Sequence, residues 1–271
     1  MLRSRQCQLP KQRQSNFQTY KKEIAGAIRF FLFPQLVYAT PLSIWYTFGV
    51  GKRGPKPKGK IQIAWSPNFA YAIGLLVSDG NLSPDGRHIV FTSKDQELVE
   101  LCIASLGIAV PIGKKANGLK RSKPCFVVQF SDVLFYQFLL TIGLMPNKSK
   151  VIEAIAVPKK YFFDFLRGSF DGDGSSYSYF DPRWKSSFMF YTTFASASRK
   201  HIAWLQAEIF DTLGIQGHIT KNKNSSVYQL KYAKAESLKL LRKLYYKKSV
   251  PCLTRKRLKV EQMLSIVGEH L

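Results

Sequence analysis

The chain has 271 residues with 41 Lys+Arg and 17 Asp+Glu, a formal net charge of +24, and 45% of its residues are hydrophobic. That apolar content is enough for a packed core and excludes an intrinsically disordered chain. A positive surplus of this size destabilises a compact protein by self-repulsion unless a polyanion neutralises it, so nucleic acid is the first partner to consider and anionic lipid the second.

The first predicted region, residues 1–60, is a basic N-terminal extension and linker. It contains a single acidic residue, Glu23, among its lysines and arginines. Residues 30–50 form an uncharged apolar stretch that two prolines interrupt. This stretch is consistent with a small hairpin or helix pair packed on the body, with a membrane segment, or with no ordered structure. Residues 51–60 (GKRGPKPKGK) have the composition of an extended linker, and such a thin basic chain also suits a DNA minor groove.

Beyond residue 60 the sequence repeats itself. The two signature segments, YAIGLLVSDG (71–80) and FLRGSFDGDG (165–174), open units that both predict a helix, two strands, a helix, two strands and a helix. The tripeptide LGI marks the same place in both units, at 106–108 and 213–215. We therefore predict an α+β fold of two pseudo-symmetric αββαββα halves. The predicted domains are residues 1–60 for the extension, 61–157 for the first half and 158–271 for the second half.

Small residues form a stripe on each of the two helices that the signature segments predict. Gly74 and Ser78 lie four residues apart, as do Gly168 and Gly172, so each pair shares one helix face. Such stripes let two helix backbones approach more closely than the usual interaxial distance of about 8–10 Å. We therefore expect these four residues to form an interface that places the two helices side by side.

An aspartate ends each signature segment, and the predicted interface brings Asp79 and Asp173 together. A carboxylate at a helix C-terminus meets the negative end of the helix dipole, and two adjacent carboxylates repel each other. A divalent cation between them removes this cost, with the backbone around Ser78 or Gly80 as a further candidate for binding it. The alternative is that each Asp-Gly pair only stops a helix, with Gly80 and Gly174 as caps. Two aspartates at matching places in a repeat favour the metal site.

Other chemistries lack their motifs in this sequence. The cysteines are scattered, which excludes a disulfide framework and a C-x-x-C site and predicts a reducing compartment, either the cytoplasm with its nucleoid or an organellar matrix. No histidines are spaced i, i+4 for zinc, and neither a P-loop nor a G-x-S-x-G elbow occurs. Any chemistry therefore rests on carboxylates and a bound metal ion.

The two signature segments resemble those of the single-chain LAGLIDADG homing endonucleases. The resemblance covers roughly residues 65–262 and includes the LGI tripeptides, PNKSK (146–150) and LTRKR (253–257). It implies a DNA-binding saddle of two four-stranded antiparallel sheets with the signature helices at its centre. The first segment departs from the pattern, because Val77 stands where many members carry an acid, whereas the second keeps Asp171.

The resemblance also implies a function. It is that of a site-specific, intron-encoded endonuclease that hydrolyses both strands of a long double-stranded DNA target with Mg²⁺ or Mn²⁺. Asp79 and Asp173 match the metal-binding catalytic acids, and Lys148 and Lys256 match the basic residues that flank the active sites. A monomer is implied, with no small-molecule cofactor and with group I intron RNA as an alternative partner.

The strands should supply the DNA contacts, because side chains alternate across a sheet and one face packs on the helices. Ile89 and Phe91 look inward, which leaves His88, Val90 and Thr92 facing outward. Basic loops suit phosphate contact. The predicted strand contacts are Asn81, Ser83, His88, Thr92, Gln129, Ser187, Tyr191, Gln229 and Lys231. The predicted loop contacts are Lys114, Lys115, Lys120, Arg121, Lys123, Arg183, Lys185, Lys221 and Lys223.

Three alternatives stay open at the level of the sequence. An RNA-binding intron maturase would use the same scaffold, and basic charge suits RNA equally well. A catalytically inactive DNA-binding protein would also fit, although both aspartates are intact. A membrane protein is the alternative from another class, and it depends only on residues 30–50.

Overall fold

A computed structural model describes residues 59–115, 124–221 and 225–271. The hypotheses on the apolar stretch 30–50 and on nearly all of the linker therefore lie outside the described residues, as do the predicted contacts Lys120, Arg121, Lys123 and Lys223. The side chain of Lys185 is likewise not described. The domain boundaries given above stay predictions.

Two successive αββαββα units follow one another in the described chain, and this confirms the predicted α+β fold class. The first unit consists of α1 (Pro67–Ser78), β1 (Gly80–Leu82), β2 (His88–Ser93), α2 (Gln96–Leu106), β3 (Gly113–Lys115), β4 (Cys125–Ser131) and α3 (Val133–Thr141). The second consists of α4 (Phe162–Asp173), β5 (Ser175–Asp181), β6 (Trp184–Ser196), α5 (Arg199–Leu213), β7 (His218–Lys221), β8 (Tyr228–Tyr232) and α6 (Lys234–Leu244). Short 3₁₀ turns at Lys148–Lys150 and Lys159–Tyr161 lie between the two units. Helix α7 (Thr254–Ile266) follows the second unit.

The LGI tripeptides end the middle helix of each unit. Gly107 and Gly214 adopt the left-handed backbone conformation, with φ of 66° and 64°, directly after α2 and α5. Glycine enters that region without the cost that a Cβ brings, so it is the usual residue there. Leu106, which precedes Gly107, and Ile215, which follows Gly214, are both buried in the core. The repeat therefore marks a helix stop that is bordered by core residues.

Polar caps fix where the first unit begins. Ser66 precedes Pro67, and its hydroxyl accepts a hydrogen bond from the backbone N–H of Phe69 at 3.1 Å. Asp132 caps α3 in the same way and is buried. Its other carboxylate oxygen accepts the backbone N–H groups of residues 60 and 61, at 2.6 and 3.0 Å. The chain that enters the first unit is thereby tied to the start of α3.

Each unit contains one antiparallel four-stranded sheet, with strand orders β1-β2-β4-β3 and β5-β6-β8-β7. One face of each sheet carries the core residues. In the first sheet Ile89 and Phe91 are fully buried, and in the second Phe190 and Leu230 are. We call the opposite face of each sheet its outer face, and strand alternation assigns Gln129 to it in the first unit.

Several positions that the sequence assigned to loops or strands need correction. Lys114 and Lys115 lie in β3, Lys221 lies in β7 and position 185 lies in β6, whereas all four were predicted in loops. Ser83 follows β1 instead of lying within it. For the residues of β3 and β7 the cause is strand length, because strands of three and four residues with charged side chains leave no apolar alternation to recognise. Among the described residues, no helix has the length and apolar content to span a membrane.

Candidate active site

Helices α1 and α4 pack directly against each other through their glycines. A Cβ atom on Gly74 would lie 2.0 Å from the carbonyl oxygen of Phe165, and one on Gly168 would lie 2.1 Å from that of Tyr71. Gly172 faces Ser78, whose hydroxyl would lie 1.9 Å from an added Cβ. The structure thus brings the four predicted interface residues together, because only glycine permits backbones this close.

The contact between the helices places Asp79 and Asp173 near each other. Both residues stand at the C-terminal ends of their helices, Asp79 as the cap of α1 and Asp173 as the last residue of α4. An added Cβ on Gly172 would lie 3.0 Å from a carboxylate oxygen of Asp79. Asp79 is partly buried, whereas Asp173 is exposed on one side. The pair therefore lies at an opening of the protein.

The surroundings of both aspartates favour their neutral forms. Burial raises the pKa of Asp79 from 3.8 to about 6, with the charge of Asp173 as the second cause. Partial burial of the Asp173 carboxyl raises its pKa as well. No hydrogen bond from the described residues reaches either carboxylate. A carboxylate without donors beside a second carboxylate is stabilised by a cation, so the pair fits a divalent metal ion.

Two lysines hold the ends of the helices that carry these aspartates. Lys148 Nζ donates to the carbonyl oxygen of Gly80, immediately after Asp79. Lys256 is buried, and its Nζ donates to the carbonyl oxygens of Phe170, Gly172 and Gly174 at 2.6, 3.1 and 2.6 Å. An ammonium group at this position satisfies the last carbonyls of a helix and opposes the negative end of its dipole.

Each lysine acts electrostatically on both aspartates. Lys256 is the stronger of the two in lowering the pKa of Asp79, and Lys148 is the stronger for Asp173. Burial in turn lowers the pKa of Lys256 from 10.5 to about 8 and lowers that of Lys148. The four predicted site residues therefore form one coupled group. Lys256 caps α4 and acts most strongly on Asp79, whereas Lys148 bonds the first residue of β1 and acts most strongly on Asp173.

The protein supplies only part of the coordination that a divalent cation needs. Within residues 59–115, 124–221 and 225–271, no three His, Cys, Asp or Glu side chains are placed to hold a metal ion. Mg²⁺ and Ca²⁺ prefer oxygen ligands, so water or phosphate oxygens would complete the shell around the two carboxylates. Of the proposed backbone ligands, the carbonyl oxygen of Gly80 already accepts a hydrogen bond from Lys148. The side-chain hydroxyl of Ser78 donates to the Leu75 carbonyl oxygen of its own helix at 3.0 Å.

A buried carboxylate next to the site was given no role by the sequence. One oxygen of Asp171 accepts hydrogen bonds from the Tyr71 hydroxyl at 2.7 Å and from the backbone N–H of Leu253 at 2.8 Å. Burial raises the pKa of Asp171 to about 6. Asp171 thereby links α4 both to α1 and to the residue before α7. The first unit has Val77 at the matching position, so it has no equivalent link.

A fully buried arginine makes a second connection that the sequence did not reveal. The guanidinium of Arg167 pairs with Asp164 at 2.7 Å. It also donates to the carbonyl oxygens of Leu244 at 2.9 Å and Pro251 at 2.8 Å. The only signal for it was a charged residue inside an apolar helix pattern. Arg167, Asp171 and Lys256 together bind α4 to residues 244–256, which we call the C-terminal segment.

The predicted DNA contacts of the first unit divide between the two faces of its sheet. Asn81 pairs with Val90 and Val90 with Gln129, and these residues are on the outer face. Alternation also assigns Thr92, Lys115 and His88 to the outer face. The ring of His88 is hydrogen-bonded to Asp85. Lys114 instead pairs with Phe126, and its Nζ lies 5.9 Å from the centroid of that ring, on the face of the core.

The second unit divides its predicted contacts in a similar way. Alternation assigns Ser187, Tyr191, Gln229 and Lys231 to the outer face, opposite the buried phenylalanines of β6. Lys221 pairs with Tyr228, and its Nζ lies 4.9 Å from the centroid of that ring, again on the core side. Arg183 lies in the turn between β5 and β6. Its guanidinium donates two hydrogen bonds to the carboxylate of Asp181, at 3.1 and 3.2 Å.

Removing the charge of Asp79 should stabilise the metal-free protein. Because the folded pKa of Asp79 is about 6 and its ordinary value is 3.8, folding opposes ionisation of this carboxyl. Its unfavourable contribution is absent below pH 4, grows as the pH rises through the interval between these values and is complete above the folded pKa. Asp79→Asn should therefore raise the free energy of unfolding by about 1–3 kcal/mol at pH 8.

Urea unfolding of wild type and Asp79→Asn between pH 4 and pH 8, with a chelator present, measures this effect. The two proteins should become equally stable towards the acid end of the series. A constant difference across the series would contradict the electrostatic account.

Comparison with known proteins shows a fold similar to that of a homing endonuclease of known structure. No family model and no curated protein matches the chain. The homing endonuclease I-WcaI bound to its DNA recognition sequence matches 77% of this chain and 95% of its own, with 15% identity and a TM-score of 0.53. The I-LtrWI LAGLIDADG homing endonuclease bound to target DNA has 12% identity over 71% of this chain and 87% of its own, with a TM-score of 0.49.

A third similar structure is that of full-length DUF199/WhiA from Thermatoga maritima, with 17% identity over 76% of this chain and a TM-score of 0.49. The match spans 61% of that longer protein. These likenesses concern the fold alone. The likeness to I-WcaI agrees with the α+β architecture of two antiparallel sheets that the sequence predicts.

Proposed function

We propose that the protein is a metal-dependent, site-specific endonuclease that cuts both strands of double-stranded DNA. The observation that carries the proposal is the Asp79–Asp173 pair. Two carboxylates without hydrogen-bond donors lie at an opening, one from each of two helices in glycine contact. Their placement is unfavourable for the protein by itself, and such a cost is typical of a site that serves a ligand.

The chemistry of phosphodiester hydrolysis fits the residues at this opening. A bound Mg²⁺ or Mn²⁺ would activate water and stabilise charge on the phosphate and the leaving oxygen. Asp79 and Asp173 would hold the cation. Lys256 is buried against three carbonyl oxygens, so we assign it to positioning the end of α4. Lys148 borders a cavity of about 370 Å³ that Asp173 also lines, so its charge is available to a phosphate there.

The net charge and the polar outer faces of the sheets support DNA as the substrate. The net charge of +24 matches a long polyanion, and phosphate contacts of this kind make binding strongly dependent on salt. The outer faces of both sheets carry polar side chains at alternate positions, such as Asn81 and Gln229. I-WcaI, which shares the fold, is bound to its DNA recognition sequence.

A cleavage screen tests the proposal. The full chain is incubated with a randomised library of duplex DNA in Mg²⁺, and the cut ends are sequenced. We expect one family of sites cut on both strands, and we expect excess chelator to abolish cutting while binding to the selected site persists.

The outcomes of the screen separate the alternatives. Binding to a selected duplex without cleavage in Mg²⁺ or Mn²⁺ would replace the proposal with a catalytically inactive DNA-binding protein. Tight binding to a structured intron RNA, with no selected duplex at all, would favour the maturase.

A further inference from the structure

The two units differ most in the hairpin that follows each signature helix. Strands β1 and β2 contain 3 and 6 residues, whereas β5 and β6 contain 7 and 13. Both hairpins start within two residues of an aspartate of the pair, at Gly80 after Asp79 and at Ser175 after Asp173. At about 3.4 Å per residue, the four additional residues of β5 extend the second hairpin by about 14 Å.

Three tyrosines occupy the outer face of this extension. Tyr177 pairs with Tyr191 across the hairpin, and Tyr179 is two residues further along the same face. Alternation places Lys231 on this face too, because it pairs with Thr193. The residues between the tyrosines belong to the other face, where Phe190 is fully buried.

The three rings form one aromatic surface, which we call the tyrosine stack. The centroid of Tyr191 lies 5.1 Å from that of Tyr177 and 6.2 Å from that of Tyr179, with interplanar angles of 16° and 11°. Tyr177 is 37% exposed and Tyr179 is 43% exposed. Rings that stay exposed without covering the core mark a contact surface, since an apolar patch of this kind is unfavourable in water.

The described residues of the first unit offer no counterpart to this surface. Its hairpin turns back after Leu82, and the outer face there carries Asn81, Val90 and Gln129. The two units therefore present different chemistry: amide and aliphatic groups in the first, and aromatic rings at the far end of the second.

We propose that the tyrosine stack contacts thymine methyl groups in the DNA major groove, at the outer end of the half-site bound by the second unit. This inference rests on the proposed function, because it needs a duplex along the two sheets. The major groove admits a two-stranded β-ribbon, and the thymine C5 methyl is the apolar feature that it displays. The additional 14 Å corresponds to about four base pairs at 3.4 Å per step, so the target is longer on this side.

Removal of methyl groups from the DNA tests the inference. The probe is the duplex selected in the cleavage screen, with uracil in place of thymine at the outer positions of one half-site or of the other. With the full chain, we expect uracil in the half-site of the second unit to weaken binding about threefold to fivefold per contacted methyl. Uracil at the outer positions of the other half-site should have no effect.

Two protein variants make the assignment specific. Tyr177→Ala with Tyr179→Ala should shorten the hydroxyl-radical footprint by about four base pairs at one end, and uracil should then weaken binding no further. Tyr177→Phe with Tyr179→Phe keeps the rings and should retain the effect of uracil. Equal thermal unfolding of the alanine variant and wild type controls for the fold.

The possible failures are distinguishable. If the wild type binds no duplex, the proposed function fails and this inference fails with it. If it binds and cuts with a symmetric footprint that uracil and the alanine changes leave unaltered, only the tyrosine assignment is wrong. Stronger binding to single-stranded RNA than to duplex, lost in the alanine variant, would overturn the inference in favour of base stacking.

Discussion

Replacing Asp79 or Asp173 with asparagine is expected to reduce DNA cleavage by at least about 10³-fold while DNA binding is retained. Asparagine keeps the size of the side chain but removes the negative charge that would hold the cation. A cation in such a site stabilises the transition state by several kcal/mol, which corresponds to about three powers of ten in rate. Single-turnover cleavage of the selected duplex in Mg²⁺ measures the loss, and a gel-shift titration measures binding.

An aspartate outside the site provides the matched control. Asp211 is exposed on α5, so Asp211→Asn removes the same charge without touching the pair, and cleavage should stay at the wild-type rate. Undiminished cleavage by the Asp79→Asn, Asp173→Asn double variant would sink the assignment of the active site. Loss of binding together with cleavage would show that the pair is structural.

The glycine contact between α1 and α4 should be the position least tolerant of substitution. An alanine at residue 74 or 168 would place its Cβ about 2 Å from a carbonyl oxygen of the facing helix, so the helices must separate. Gly74→Ala and Gly168→Ala should each lower the free energy of unfolding by at least about 3 kcal/mol, at the upper end of overpacking costs. Urea unfolding followed by circular dichroism measures the change.

Gly107 supplies the control for this comparison, because an added Cβ there meets no atom within 4 Å. Its φ of 66° makes alanine unfavourable by about 1–2 kcal/mol through the backbone alone. A similar loss for Gly74→Ala and Gly107→Ala would show that the helices adjust to the extra methyl. A clear excess at Gly74 is the expected outcome.

The sequence predicts the repeat, the helix pair and the aspartates because each depends on local spacing. Gly74 and Gly168 mark the interface by recurring at matching places, and Gly107 and Gly214 mark the helix stops in the same way. The paired aspartates are visible because they end the same two helices. Each of these features is defined either by the spacing of residues within one helix or by the distance along the chain between the two repeats.

Other features depend on contacts that are remote in sequence. Lys114 and Lys221 lie over the rings of Phe126 and Tyr228 because of strand register, which no local pattern gives. The partners of Arg167 are as far away as Leu244 and Pro251. The greater length of the second hairpin is not predicted either, because the repeat indicates the order of the strands and not their lengths.

The C-terminal segment has a consequence for the order in which the protein matures. During synthesis, residues 244–256 leave the ribosome after both signature helices, α1 and α4. Until they do, the guanidinium of Arg167 and the carboxylate of Asp171 lack their partners from that segment, and the end of α4 lacks the ammonium group of Lys256. Charges without partners cannot be buried at tolerable cost. A chain that has not yet released residues 244–256, or has lost them to proteolysis, would therefore lack a formed site, so the proposed cleavage activity would arise only after this segment has packed on α4.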